Sequence, residues 1–336
     1  MKNILVFCAR DWRHPKAGFV EEYAHKVFSR IAAQGNYVGW VCQNQLFAAA
    51  SRNRLPQTEV VDGIQLARLA PSLLYRTMAQ MFLNRLQKRK GPTRRMDAIV
   101  DCVVGEPLPL SHATDVPIVP LVFNLSKKMF AAEAPPGPVI AATARAKQQL
   151  ARAGFAPNFL VQALAGVELE PASQQSGCET PAPEPSADIV AVDASPRRFR
   201  AGLRAAQEDG LKMTVKIINP SRVGETERRK SYTRAIMGYC GAGAEQEALA
   251  FAAHGVPVVC PRTEAAVEFV VHGETGLLYP PGDSSALVSC IRTLAQDEMA
   301  RKRMGEKARQ IARARTWEKT AGLILATIEN LENTGA

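Results

Sequence analysis

Apolar and polar positions along this chain alternate between two rhythms, and the switches between them predict the elements. Residues 3–8 form an unbroken apolar run of strand length, followed by a polar loop that includes Gly18. Residues 21–34 carry apolar positions at helical spacing, Gly35 ends that helix, and 37–42 return as a strand. A β-loop-α-β start of this kind predicts a doubly wound, Rossmann-like unit. Residues 60–68 read as a hairpin turning at Asp62-Gly63. Two more strands are expected at 98–104 and 117–123, with a turn-rich stretch between them. A strand at 139–143, a helix at 144–153 and a last segment at 160–166 complete a first domain, 1–168.

Residues 169–187 are rich in Pro, Ser, Glu and Gln without periodicity and read as a linker. Beyond it, strands are expected at 188–192, 212–218 and 236–240, separated by helices at 197–207 and 225–234. The stretch 248–283 then reads as a helix ended by Gly255, a buried strand at 256–260, a short helix and a loop. That loop is punctuated by Gly273, Gly276, Pro280, Pro281 and Gly282, with Asp283 or Ser284 capping the next helix. Helices at 285–294 and 299–313 end a second domain, 188–315. A final helix at 317–331 lies in a terminal segment, 316–336.

The segment 71–95 differs in kind. Leu74, Met78, Phe82 and Leu86, with Met81, recur at helical spacing, and Arg85, Lys88, Arg89, Lys90, Arg94 and Arg95 crowd its far end. Such a helix either packs on a core with a solvated basic exit or lies on an anionic bilayer. In the second case each basic residue near the surface contributes on the order of 1 kcal/mol.

Composition narrows the classes. With 336 residues, 46% of them hydrophobic and 22% charged, the chain is globular and long enough for two cores. No apolar run reaches the roughly 20 residues of a membrane-spanning helix. The N-terminal apolar run meets Arg10, Asp11 and Arg13 at once, and reads as a strand, not a signal peptide. Seven cysteines without a C-x-x-C pair predict buried free thiols in a reducing compartment, hence a cytoplasmic protein, peripheral at the inner face of the membrane if the basic helix binds lipid. The net charge of +10 favours an anionic partner, but basic residues are dispersed and aromatics sparse, which argues against nucleic acid. The five histidines show no metal spacing, so neither metal nor cofactor is expected. Gly241-Ala242-Gly243 after a strand is a weak sign of dinucleotide binding, since no ribose-binding acid is evident.

The stretch His272 to Asp283, HGETGLLYPPGD, resembles the donor-domain signature of the retaining family-four glycosyltransferases, H-G-x-T-G-L-L-x-P-P-G-D. Near the N-terminus, Arg10, Asp11, His14, Pro15, Ala17 and Gly18 match the family's R-D-x-x-H-P-x-A-G-G-x-E, with Phe19 in place of the second glycine. Residues 97–107 match D-x-V-x-D-x-x-x-G-x-P, and Ala165-Gly166-Val167-Glu168 stands where the family has N-G-V-D. The resemblance implies two Rossmann-like domains facing each other across a cleft, the glycosyltransferase B architecture, with the C-terminal helix crossing back to the first domain. It also implies retaining transfer of a sugar from a nucleotide-diphosphate donor to an envelope glycan or lipid-linked acceptor.

The same resemblance marks what has been replaced. Where the family holds the donor diphosphate with an Arg and a Lys, this chain has Ala194 and Phe199. Arg197, Arg198 and Arg200 stand close by. The family's two glutamates, eight positions apart, are Ala242 and Ala250. Glu245 and Glu247 are out of register with them, three positions inside each end. The diglycine is Glu264-Ala265, and only Glu268 keeps its place. The chain is also short between Gly166 and Gly255, by roughly one strand-helix unit. On this basis Gly18, Arg198, Arg200 and Glu268 are the donor-side candidates. His14 and Asn124 (in place of a family histidine beside the acceptor) are the acceptor-side candidates. Two readings stand nearly level: a divergent transferase, and a pseudo-enzyme serving as a binding or assembly partner of another protein. A dinucleotide-dependent oxidoreductase is a remote third.

Overall fold

The computed structural model describes residues 1–44, 55–69, 74–88, 95–126, 137–169, 188–193, 196–208, 210–219 and 223–333. Residues 170–187 of the proposed linker and three basic residues of the amphipathic segment, Arg89, Lys90 and Arg94, lie outside these. The chain divides into two compact units. The first is 1–165 with 317–336, and the second is 166–316.

Unit 1 is built on an eight-stranded sheet in the order β3-β4-β2-β1-β5-β6-β7-β8. The strands are β1 (Asn3–Phe7), β2 (Tyr37–Cys42), β3 (Thr58–Val61), β4 (Ile64–Arg68), β5 (Ala98–Gly105), β6 (Ile118–Leu125), β7 (Val139–Ala141) and β8 (Leu160–Gln162). All pair in parallel except the hairpin β3-β4, whose turn places Asp62 at φ 52° and Gly63 at φ 77°. Two successive left-handed residues let a two-residue turn follow the twist of its strands. Helices α1 (Phe19–Ala33), α2 (Tyr75–Lys88) and α3 (Ala144–Arg152) cover the sheet. The C-terminal α10 (Trp317–Glu329) packs on α1, where Trp317 meets Tyr23 edge to face at 5.4 Å and Thr320 donates to the Leu164 carbonyl.

Helix α2 buries a stripe one position away from the expected one. Tyr75, Ala79 and Leu83 are buried, Phe82 and Leu86 pack beside them, and Leu74 and Met81 are exposed. Tyr75 decides this register: its hydroxyl donates to the carbonyls of Cys8 and Val41 at 3.0 and 2.9 Å, which fixes one face of the helix over β1 and β2. Leu74, Met81 and Arg85 are left on the outside.

Unit 2 is a five-stranded parallel sheet in the order β10-β9-β11-β12-β13. Its strands are β9 (Ile189–Val192), β10 (Val215–Ile218), β11 (Met237–Cys240), β12 (Val258–Pro261) and β13 (Gly276–Tyr279). Around them lie α4 (Arg197–Glu208), α5 (Glu225–Tyr232), α6 (Glu247–Ala253), α7 (Ala266–Phe269), α8 (Ser284–Gln296) and α9 (Glu298–Ala314). Strand β13 falls where the pattern reads as loop, because only three apolar residues, Leu277 to Tyr279, sit between glycine- and proline-containing turns. Gly276 is required there, since a Cβ on it would stand 2.4 Å from the Val258 carbonyl oxygen of β12. Asp283 caps α8 through the Ala286 N–H, and Asp297 caps α9 in the same way.

The six cysteines among the described residues are free; Cys178 lies outside them. No described helix is long and apolar enough to cross a membrane.

Candidate functional site

In open α/β sheets ligands settle beyond the carboxyl ends of the strands, where the strand order reverses. Unit 2 reverses between β9 and β11, and unit 1 between β1 and β5. These two rims hold most of the chemistry-bearing residues singled out in the sequence.

At the unit 1 rim, the loop after β1 is held by its own side chains. Gly18 is exposed, and its N–H donates to Glu21 at 2.9 Å, the reach-back half of a capping arrangement for α1. Arg10 donates to the Lys16 carbonyl at 2.9 Å and lies 3.5 Å from Glu21. The His14 Nδ1 accepts from the Lys16 N–H at 3.0 Å, and partial burial together with Arg10 lowers its pKa. Phe19, the residue replacing a glycine, turns toward Tyr23 and Phe123, with ring centroids 6.1 Å from each. It therefore serves the α1–β6 core. Asn124, at the end of β6, accepts from Gln149 at 3.1 Å.

Beneath this loop lies a buried ion network. Arg68 at the end of β4 donates to Asp11 at 2.7 Å and to Glu59 at 2.5 Å, and the side chains of Arg68 and Asp11 are 1% and 2% exposed. Asp11 also accepts from the Arg13 N–H at 2.9 Å, and Arg13 pairs with Glu59. The pair Asp11–Arg68 thus ties the end of β1 to the end of β4.

At the unit 2 rim, the segment where the resemblance places a phosphate-binding Arg and Lys is different in kind. Phe199 is fully buried and stacks on Tyr239, with centroids 4.2 Å apart. Arg198 and Arg200 flank it on α4 and are exposed. The Arg198 Nη1 stands 3.9 Å from where a Cβ on Gly282 would lie, in the loop after β13. Ala194 lies outside the described residues.

Carboxylates gather at the same rim. Asp193, buried, backs onto Gly241 so closely that a Cβ there would meet its Oδ2 at 2.4 Å. Glu245 is buried. One of its oxygens accepts from the Gly243 N–H at 2.8 Å and the other from the Thr263 hydroxyl at 2.9 Å. Glu247 accepts from the Tyr232 hydroxyl at 2.8 Å and pairs with Arg228 at 2.8 Å. Ala242 and Glu264 are exposed, and Ala250 is half-buried. Glu268 sits on α7 with its carboxylate 3.9 Å from Arg315, whose guanidinium donates to the Glu268 carbonyl at 2.9 Å and lies over the Phe269 ring.

Within unit 2, the residues read from sequence therefore do not converge on one point. Arg198 stands at the rim near Gly282, Glu268 faces the end of α9, and Glu245 and Glu247 face inward. Sequence reasoning left out Thr263, Arg228 and Arg315, each of which holds one of these glutamates. Their separations from those partners, 18, 19 and 47 residues, leave no local signal.

Against this geometry, comparison with known proteins gives the class. Residues 246–311 match the family model described as glycosyl transferases group 1. No curated protein matches. Among solved structures, sucrose-phosphate synthase from Thermosynechococcus elongatus is similar over 100% of both chains, at 16% identity and a TM-score of 0.65. A glycosyltransferase from Rickettsia africae ESF-5 is similar over 98% of both chains, at 12% identity and a TM-score of 0.64. Anabaena Alr3699/HepE, solved in complex with UDP-glucose, is similar over 98% of this chain and 100% of its own, at 14% identity and a TM-score of 0.62. At these identities the likeness is one of fold, and the fold is that of the glycosyltransferase B class, with two Rossmann-like units.

Proposed function

We propose that this chain, a glycosyltransferase B fold with a glycosyl transferases group 1 segment at 246–311, keeps the frame of nucleotide-sugar chemistry with a weakened donor side and works chiefly as a binding or assembly partner. The observation that carries this reading is Phe199. At the position that the resemblance gives to a phosphate-binding lysine stands a ring with no exposed surface, stacked in the core. Hydrogen bonds to charged groups contribute about 1.5–3 kcal/mol each. A diphosphate that lost two of them, and met the added carboxylates of Glu245 and Glu264, would bind weaker by several orders of magnitude.

A second reading, transfer with retention to an envelope glycan or lipid-linked acceptor, is favoured by Arg198. It is an exposed cation beside Gly282 in the Pro280-Pro281-Gly282 loop after β13. In that reading Arg198, Arg200, Gly18 and Glu268 hold the donor, and His14 and Asn124 stand on the acceptor side. Calorimetric titration with UDP and GDP separates the two. The expected dissociation constant is about millimolar or weaker. A micromolar constant lost in Arg198→Ala and Arg200→Ala would sink the binding-partner reading and restore the transferase.

The outer face of α2, with exposed Leu74, Met81 and Arg85 and the basic run continuing through Lys88, Arg89 and Lys90, supports contact with an anionic bilayer. The full chain should float with anionic liposomes at low salt. Replacing Lys88, Arg89 and Lys90 by glutamine should reduce the bound fraction severalfold, and equal flotation of both proteins would remove the idea.

A further inference from the structure

Strand order and hydrogen bonding together single out one side chain of unit 2. The loop Gly241-Ala242-Gly243 follows β11 at the reversal between β9 and β11, the place where an open α/β sheet receives its ligand. Gly243 has φ 85°, and a backbone turn with a left-handed residue forms a concavity of N–H groups suited to an anion. An anion is already there. The Glu245 carboxylate takes the Gly243 N–H with one oxygen and the Thr263 hydroxyl, from the loop after β12, with the other. Ala242 and Gly243 are exposed and Thr263 is half-buried, so these donors sit at the rim while the carboxylate beneath them is buried.

We infer that Glu245 is a resident anion that stands in for a ligand phosphate at the unit 2 rim and excludes nucleotide diphosphates from it. The inference rests on the reading that this rim is the nucleotide side of the protein. Its logic is charge and occupancy. The two donors best placed for a phosphate are spent on the protein's own carboxylate, and a second charge, Asp193, lies against Gly241 in the same loop. A phosphate approaching this loop meets repulsion where the topology would otherwise offer a cradle. Specificity by an unfavourable group is as effective as specificity by a favourable one.

Two variants divide the effect. Glu245→Gln keeps the volume and removes the charge; Glu245→Ala also vacates the position. Calorimetry on the full chain with inorganic pyrophosphate, UDP and uridine is the test. Both variants should bind pyrophosphate and UDP at least tenfold more tightly than wild type, with the larger gain in Glu245→Ala and no gain for uridine. Should Glu245→Ala prove unfolded by its thermal transition, Thr263→Val, which removes one of the two donors holding Glu245 together with the acceptor of the Ala266 N–H, replaces it. Because that variant also removes a phosphate donor, its gain is expected to be smaller. Unchanged affinity for pyrophosphate and UDP in the folded variants, or an equal gain for uridine, overturns the inference. Failure of the underlying reading shows separately, as a micromolar constant for UDP in the wild-type protein that neither Glu245 variant changes, since the nucleotide then binds away from this rim.

Discussion

Replacing Asp11 by alanine is expected to destabilise the protein by about 3 kcal/mol or more, the range for removing one partner of a buried ion pair. The cost does not lie in the lost attraction alone. Arg68 stays behind with its side chain 1% exposed, its guanidinium nitrogen Nη2 already without a hydrogen-bond partner, and Glu59 as its remaining counter-charge. The Arg13 N–H and the Cys42 thiol, which both reach Asp11, lose an acceptor as well. Urea unfolding of Asp11→Ala, Arg68→Met and the double variant measures this. The double variant should recover a good part of the loss, since two apolar groups in place of a buried pair leave no charge uncompensated. A loss under about 1 kcal/mol in Asp11→Ala would mean that the network is solvated in solution and ties nothing together.

That network also shows how far the sequence could be read. Asp11 belongs to a motif that matches a family signature, yet the motif gives no hint that its partner lies 57 positions away at the end of β4. The same holds at the other end of the chain. The stretch His272 to Asp283 is the most specific part of the resemblance, and the structure gives it a folding role. His272 Nδ1 accepts from the Leu278 N–H, Thr275 accepts from the Val271 N–H, Gly273 takes φ 80°, and Gly276 lets β13 close on β12. A signature can thus persist through its fold-making residues while ligand-holding positions change.

What was legible was what is local. The Asp62-Gly63 hairpin, the Gly255 helix end and the Asp283 cap depend on one or two residues, and each can be read from its pattern. The stripe of α2 could not, because its buried members include a tyrosine and an alanine, and Tyr75 is placed by two backbone carbonyls of other strands. The inward turn of Glu245 and Glu247 was equally hidden. Spacing shows that they are out of register with the expected glutamates, and only the fold brings Thr263 and Arg228 to meet them.

The pH dependence of stability should carry the mark of Asp101, a carboxyl on β5 that is 3% exposed. Burial raises its pKa to about 7, against the lowering effect of the Leu108 N–H, which donates at 2.8 Å, and of Arg76. The unfolded chain releases this proton near pH 4, so between there and about 7 the folded state holds a proton that the unfolded state does not. Stability from this group is therefore complete below pH 4, falls as pH rises, and is gone above about 7. The drop is on the order of 4 kcal/mol, about three pKa units at about 1.4 kcal/mol each. His14 and His25 act with the opposite sign, because burial lowers both and the folded state then resists their protonation as pH falls. The total curve mixes these, so the difference between wild type and Asp101→Asn isolates the carboxyl. The amide keeps an acceptor for the Leu108 N–H and cannot ionise. Relative to wild type, Asp101→Asn should gain stability steadily from pH 4 to 7 and hold that gain at pH 8. A difference that stays constant across this range, measured by urea unfolding at each pH, would mean that Asp101 ionises in the folded protein as it does in water.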